Sequence, residues 1–185
     1  MSESVPYLEK KRPWEKDRPR CRLAESLPLE TPFSIQIDPS NLCNFRCRFC
    51  PTGHPDLLHQ VGRSKGQLMS WGLYEKLISE LAAFPQLLKT LALHKDGEPL
   101  LNPRIAEMVF LVRKRNVAEK IVLLTNASLL TRELSIALIK AGLDVIRISV
   151  EHVSADGYRK FTQVYDDYDK VVYNVPQVIQ MPPFT

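Results

Sequence analysis

Four short apolar segments alternate with helical patterns along this chain of 185 residues, and no other feature restricts its fold as much. Each segment has the composition of a strand, and in each interval after it apolar side chains recur at helical spacing. The strand segments are 33–38, 90–94, 121–125 and 145–150. Because strands that alternate with helices form βαβ units, we predict an α/β fold with a parallel sheet.

Capping residues indicate where the predicted helices begin and end. Ser70 and Thr131 are suitable N-caps, and Asn102 followed by proline is typical of a helix start. Gly142 is placed to end the helix that Thr131 begins. A last helical stretch closes the pattern, and we expect Pro176 to kink or end it.

The predicted strands differ from those of a sheet that helices cover on both faces. Strands of that kind are apolar throughout, whereas three of these carry polar side chains on one face. We therefore expect helices on the apolar face and a wet interior, such as the lumen of an open barrel, on the polar face. The polar residues are Ser34, Gln36 and Asp38 on the first strand, Thr90 and His94 on the second, and Arg147, Ser149 and Glu151 on the fourth.

Residues 1–32 are rich in proline and charge and lack a regular apolar period, so we interpret them as an arm that precedes a domain over 33–185. Because Trp14 is the one large aromatic ring within the basic run, we favour a solvated arm over a docking surface for nucleic acid or an acidic peptide. Hydrophobic content of 44% is ordinary for a soluble domain. With no membrane-spanning run and no signal peptide evident, we expect a cytoplasmic protein without a membrane partner.

Three cysteines lie within eight residues directly after the first strand, in the pattern CxxxCxxC. Cys43, Cys47 and Cys50 suit three irons of a cubane cluster, which leaves the fourth iron open to a substrate. A zinc site is the main alternative, and its fourth ligand would come from Cys21, His54 or His59. A ferredoxin-type cluster is less favoured because no fourth cysteine follows. The aromatic ring of Phe49 is placed to pack on a cluster.

Four segments in order resemble the motifs of the radical S-adenosylmethionine (SAM) family, in the branch that often carries a C-terminal SPASM domain. The cysteine loop is similar to CxxxCxΦC, where Φ is aromatic. Residues 97–103 resemble GEPLLNP, residues 125–131 resemble TNGxLLT, and residues 148–151 resemble the ISxD/E end of a strand. The resemblance covers about 33–180.

The resemblance implies a partial TIM-type barrel, a 4Fe-4S cluster and SAM. In that family the reduced cluster cleaves SAM to methionine and a 5′-deoxyadenosyl radical, which abstracts hydrogen from a substrate. The family barrel has six βα units, so the four visible here predict a truncated barrel whose later strands are absent from this chain. The adenine-binding strand and auxiliary-cluster cysteines have no counterpart after Cys50.

The resemblance also assigns roles to single residues. Cys43, Cys47 and Cys50 match the cluster ligands. Gly97 and Glu98 match the segment that binds the SAM amino group, largely through backbone carbonyls. At the strand ends, Asn126, Ser149 and Glu151 are placed to contact SAM or substrate, although Ser149 also suits a backbone hydrogen bond and Glu151 an ion pair with Arg147. His94 suits either the site or a hydrogen-bonded structural role. No catalytic residue is assigned.

Two positions depart from the family pattern. Ala127 stands where relatives have glycine, and because a left-handed alanine costs about 1 kcal/mol, we expect an ordinary α or β conformation there. Relatives also have an arginine four residues after the tyrosine that follows the fourth strand. Here Thr162 holds that place after Tyr158, and Arg159 is out of phase with it.

These observations predict a radical SAM enzyme whose substrate is a peptide or protein, a small molecule or a sugar. Its reductant would be a flavodoxin or a ferredoxin. The alternative is a non-catalytic iron-sulfur or zinc binding module. A nucleic acid is not the partner we expect.

Overall fold

A computed structural model describes residues 27–60, 66–164 and 168–179 of the chain. The chain divides into a unit of 1–29 with 181–185 and a unit of 30–180, and every helix and strand given below belongs to the second unit. Most of the predicted N-terminal arm, and Cys21 with it, lies outside the described residues.

The described strands form one parallel sheet in the order β1-β2-β3-β4. The strands are β1 (Ser34–Gln36), β2 (Thr90–Ala92), β3 (Ile121–Thr125) and β4 (Val145–Ile148). Pairing continues past two strand ends, because Ile37 N donates to Ala92 O at 2.9 Å and Ser149 N donates to Thr125 O at 2.9 Å. The prediction of four parallel βα units is confirmed.

Six α-helices and two short 3₁₀ turns lie between and after the described strands. The helices are α1 (Pro55–Gln60), α2 (Trp71–Leu81), α3 (Ile105–Lys114), α4 (Arg132–Lys140), α5 (Ala155–Thr162) and α6 (Tyr168–Ile179). The 3₁₀ turns are Pro51–Gly53 and Pro99–Leu101.

Local side-chain chemistry fixes several helix starts as the sequence predicts. The hydroxyl of Ser70 accepts from Leu73 N at 3.4 Å, and that of Thr131 accepts from Leu134 N at 3.2 Å. Each bond satisfies one of the unpaired N–H groups of a first helical turn. Gly142, at φ +95°, follows the end of α4 as expected.

Two predicted helix boundaries differ from the structure. The helix expected at Asn102 begins at Ile105, because a 3₁₀ turn ends at Leu101 and the Asn102 side chain instead accepts from Arg104 N at 3.0 Å. Of the two outcomes expected at Pro176, a kink or an end, the end does not occur, because α6 continues to Ile179. A proline three residues from the end removes one hydrogen bond of the last turn and leaves the rest intact.

The core lies between the helices and one face of the sheet. Leu91 and Leu123 from the strands, and Leu93 just after β2, are fully buried there with Ile78 of α2 and Val112 of α3. On the other face Ser34, Gln36 and Arg147 are exposed. This asymmetry agrees with the predicted division into an apolar and a polar face. Over the described residues, no helix has both the length and the apolar character to cross a bilayer.

Candidate active site

The loops that carry the sequence motifs meet at one edge of the sheet. All four strands are parallel, so their carboxyl ends lie on the same side, where ligand sites of such sheets are found. The cysteine loop follows β1, residues 96–102 follow β2, residues 126–131 follow β3 and residues 149–154 follow β4.

Backbone and core contacts fix the conformation of the cysteine loop. Cys50 N donates to Cys47 O at 2.9 Å, and Phe45 N donates to the Cys43 thiol at 3.4 Å. The Phe45 ring is 2% exposed and packs edge-on against Tyr158, with ring centroids 5.9 Å apart. A residue between two of the cysteines therefore anchors the loop in the core.

The same loop is attached to the end of α5. Arg46 N donates to Thr162 O at 3.0 Å, and Arg48 N donates to Phe161 O at 3.1 Å. The Phe49 ring lies 5.4 Å from the Phe161 ring, and 66% of Phe49 is exposed. The ring of Phe49, which we expected to pack on a cluster, thus contacts the aromatic ring of Phe161 in α5.

The three thiols are free and lie close enough to influence one another. Burial raises the pKa of Cys43 to about 11, with added repulsion from Glu98 and Cys50. Burial raises the pKa of Cys47 to about 12, with added repulsion from Glu151, Cys43 and Cys50. Metal binding is the ordinary way in which such neighbouring thiolates are stabilised.

Three thiols on one loop are the donor set that three corners of a cubane would use, since each thiolate would bind a different iron. Within the described part of the chain, no three His, Cys, Asp or Glu side chains are grouped to hold a single metal ion. Of the zinc ligands considered above, His54 has its Nε2 3.4 Å from the Cys47 carbonyl oxygen. Cys21 and the side chain of His59 lie outside the described residues.

Gly97 allows the loop after β2 to touch the segment before the cysteines. Its φ is +80°, and a Cβ there would lie 2.4 Å from Ser40 O and 2.6 Å from Leu42 O. The next residue, Glu98, donates its N–H to Leu42 O at 2.7 Å. Only glycine permits this approach without displacing backbone atoms.

The Glu98 side chain is an internal hydrogen-bond acceptor rather than a surface group. It is 2% exposed, and its Oε1 accepts from Leu100 N at 3.0 Å and from the Thr125 hydroxyl at 2.6 Å. Its Oε2 accepts from Asn126 N at 2.8 Å. Burial raises the pKa of Glu98, and these three donors oppose the rise. Glu98 therefore joins the loop after β2 to the loop after β3.

Asn126 connects the loop after β3 to the cysteine loop. Its amide nitrogen donates to Asn44 Oδ1 at 3.0 Å, and Asn44 in turn donates to the Ser128 hydroxyl at 2.8 Å. The Ser128 hydroxyl closes the network by donating to Asn126 Oδ1 at 2.7 Å. Sequence reasoning found Asn126 but missed Asn44 and Ser128, since both occupy variable positions of their motifs.

Ala127 contradicts the expected backbone conformation. Its φ is +60°, in the left-handed region, although it is fully buried. Ala127 N donates to the Thr125 hydroxyl at 3.0 Å, and Ala127 O accepts from the Asn174 amide at 2.8 Å. One local and one tertiary hydrogen bond thus hold a conformation that the preference of alanine alone disfavours.

The residues that follow β4 are placed at the same edge. Ser149 is half-buried and extends the pairing with β3. Glu151 is half-buried near Cys47, burial raises its pKa, and no ion pair with Arg147 occurs among the described residues. Tyr158 is fully buried in the core, and Arg159 is exposed. The offset arginine of the family thus has no clear counterpart here.

Polar residues from three strands line one cavity, as the sequence predicts. His94 contributes to this lining, and its Nδ1 is buried without a hydrogen-bond partner among the described residues. A hydrogen bond to the Val122 backbone still holds this ring, so both roles expected for His94, in the site and in the structure, stay predictions.

Comparison with known proteins places this site in a family. The model described as the Radical SAM superfamily matches residues 37–178. A GTP 3′,8-cyclase of Chlorobaculum tepidum is 26% identical over 155 residues, which is 82% of this chain and 42% of that protein. A tungsten-containing aldehyde ferredoxin oxidoreductase cofactor-modifying protein of Pyrococcus furiosus is 31% identical over 117 residues, 63% of this chain and 30% of that protein. The chain thus spans less than half the length of these relatives.

A solved structure, native anSMEcpe with bound AdoMet and Cp18Cys peptide, has a TM-score of 0.60 and 19% identity. The match covers 80% of this chain and 40% of that one. At this identity the likeness concerns the fold alone, and it confirms the predicted partial TIM-type barrel.

Proposed function

We propose that this chain, which belongs to the Radical SAM superfamily, forms the cluster-binding part of an enzyme that starts its reaction from SAM. The family uses a 4Fe-4S cluster and SAM, and the observation that carries the proposal is the fixed loop with three free, mutually close thiols. When bound, the cluster and SAM supply a 5′-deoxyadenosyl radical, because one electron breaks a carbon–sulfur bond of SAM. This radical would remove a hydrogen atom from the substrate.

Cys43, Cys47 and Cys50 are the cluster ligands in this proposal. Phe45 holds their loop in the core, and the backbone bonds to α5 hold its second half. A loop fixed in advance places its thiolates without an ordering cost at the moment of binding.

The SAM-binding residues we propose are Gly97, Glu98, Asn126, Ser149 and Glu151. Gly97 and Glu98 offer backbone atoms beside the cysteine loop, where the methionine part of SAM would lie. The side chain of Glu98 acts by holding Asn126 rather than by touching the ligand. Asn126, Ser149 and Glu151 border the same edge of the sheet, and this shared position supports the assignment.

For the substrate, we propose a small molecule in preference to a peptide or protein. The curated relatives that support this are mostly GTP 3′,8-cyclases, whose name states that they act on GTP. Membership of the SPASM-like branch stays a prediction. A flavodoxin or ferredoxin is the proposed electron donor, since the cluster needs a single electron at low potential.

Anaerobic reconstitution with iron and sulfide tests the proposal. We expect about four iron and four sulfide per chain and a brown protein. Addition of dithionite and SAM should then release methionine and 5′-deoxyadenosine.

The fourth cysteine of the chain provides a matched control. Cys47→Ser should lose most of the iron, whereas Cys21→Ser should keep it. Equal loss in both variants, or tight zinc in place of iron, would indicate a four-ligand metal module and refute the proposal. Iron uptake without cleavage of SAM would leave a non-catalytic iron-sulfur module.

A further inference from the structure

A cavity of about 370 Å³ lies on the polar face of the sheet. This volume is in the range of small-molecule sites. Five of its seven lining residues are polar, and they come from β1, β2 with the residues just after it, and β4. The lining consists of Ser34, Gln36, Thr90, Ala92, His94, Val122 and Arg147.

Arg147 contributes a positive charge to this cavity without a partner among the described residues. It lies in the middle of β4, opposite Leu124 of β3, and its side chain is exposed. Neither an ion pair nor a side-chain hydrogen bond of Arg147 occurs in the described part of the chain, where Arg113 is the arginine that pairs with Asp144. A guanidinium has five N–H donors in a planar fork that suits a carboxylate or a phosphate.

His94 adds a second unsatisfied group to the same wall. Its Nδ1 is buried and makes no hydrogen bond to a described residue. Buried polar atoms are nearly always satisfied, so a turn of this ring that brings Nδ1 to a ligand in the cavity would supply the missing hydrogen bond. Asp38 also acts on this ring electrostatically, but Asp38 accepts a hydrogen bond from Asp96 N at 2.8 Å and does not line the cavity.

The remaining lining residues offer neutral hydrogen bonds and a small apolar floor. Ser34 and Thr90 contribute hydroxyls, Gln36 contributes an amide, and Ala92 and Val122 are apolar. No carboxylate belongs to the lining. The cavity thus combines an unpaired cation with neutral donors, which favours an anion and disfavours a cation.

We infer that this cavity binds an anionic group of the substrate, a carboxylate or a phosphate, through Arg147 with His94 and Gln36 beside it. The inference rests on the proposed function in one respect, namely that the bound small molecule is the substrate of the SAM-dependent reaction. It narrows the substrate class to small molecules that carry an anion and excludes neutral sugars.

Binding of simple anions to the full chain tests this inference. Isothermal titration calorimetry with pyrophosphate as the phosphate arm and succinate as the carboxylate arm shows which chemistry the site prefers. The variants are Arg147→Gln, Arg147→Lys and His94→Gln. Arg115→Gln is the matched control, because Arg115 is exposed at the end of α3.

We expect one arm to bind, with an affinity that falls as salt is added. Arg147→Gln should weaken it roughly 10- to 100-fold, as the loss of a charge-assisted hydrogen bond does, and Arg147→Lys should weaken it less. Arg115→Gln should leave binding unchanged. If Arg147→Gln fails to fold by circular dichroism, Arg147→Lys and the salt series on the unaltered chain decide the question.

Two results would overturn the inference. One is that neither pyrophosphate nor succinate binds at concentrations up to about 10 mM, which corresponds to a negligible affinity. The other is that Arg147→Gln and Arg115→Gln bind the anion equally well. Either result with normal SAM cleavage would leave the proposed function intact. Anion binding by a chain that takes up no iron would refute the proposed function instead and leave the anion site standing.

Discussion

Replacement of Glu98 by alanine should destabilise the chain more than any surface substitution, even before a cluster is added. The carboxylate is 2% exposed and accepts hydrogen bonds from Leu100 N, the Thr125 hydroxyl and Asn126 N at 2.6–3.0 Å. Alanine leaves these three donors buried without an acceptor. Each buried unsatisfied donor costs about 1–3 kcal/mol. Part of this total cost is offset, because the variant no longer has to bury a charged carboxylate.

We therefore expect Glu98→Ala to lower the free energy of unfolding by about 3–5 kcal/mol, the cost of three unsatisfied donors less the desolvation that is relieved. Glu98→Gln keeps one oxygen but turns an N–H group toward one of the donors, so a loss of about 1–3 kcal/mol is expected. Urea denaturation of the metal-free chain, followed by circular dichroism, measures both values.

Glu107→Ala is the matched control, because Glu107 is an exposed residue of α3 that pairs with Arg104 on the surface. It should have little effect on unfolding. If Glu98→Ala and Glu107→Ala shift the urea midpoint by the same amount, Glu98 does not join the two loops as described. Should Glu98→Ala not fold, Glu98→Gln measured against Glu107→Gln decides the matter.

Three further outcomes follow from the geometry. Gly97→Ala should lose at least about 1 kcal/mol of stability because of the left-handed backbone alone, and more because of the clash with Ser40 O, and it should retain less iron. Gly72→Ala is the control and should be neutral or stabilising, because a Cβ there meets nothing within 4 Å. Equal urea midpoints for the two variants would contradict this. Ala127→Gly should change stability by less than about 0.5 kcal/mol, because relief of the φ of +60° offsets the loss of a buried methyl group, while Ala127→Val should be clearly destabilising in the same urea assay. Burial, and then Arg147, lower the pKa of His94 below its usual 6.5, so the folded state favours the neutral ring. The contribution of His94 to stability should be fully present above pH 6.5 and should be lost as the pH falls, and His94→Gln should remove that part of the decline. An NMR titration should show a higher pKa for the ring in Arg147→Gln than in the unaltered chain.

Local chemistry is the part of this fold that the sequence predicts well. Ser70 and Thr131 cap their helices as expected because an N-cap bond joins residues three apart. The bounds of β3 match the apolar segment 121–125, whose side chains are almost all buried. The motif order also placed the candidate site residues at one edge, since parallel strands bring their carboxyl ends together.

Contacts between distant residues are the part that the sequence could not predict. The bond from Asn126 to Asn44 joins residues 82 apart, and that from Asn174 to Ala127 joins residues 47 apart. Neither is visible in a periodic pattern. The conformation of Ala127 was predicted wrongly in part for the same reason, since the preference of alanine did not take account of the bond from Asn174. That Arg147 has no partner among the described residues likewise emerges only when neighbouring strands are assembled.

The attachment of the cysteine loop to α5 has a consequence for how the protein is made. The carbonyl groups that hold Arg46 and Arg48 belong to Thr162 and Phe161, so a ribosome exposes all three thiols well before it has produced the groups that shape their loop. At about 5–20 residues per second, that interval lasts on the order of ten seconds. During it the nascent chain presents pliable thiols to any soft metal ion in its surroundings. The loop therefore gains the backbone hydrogen bonds that fix its second half only after the fourth βα unit has emerged.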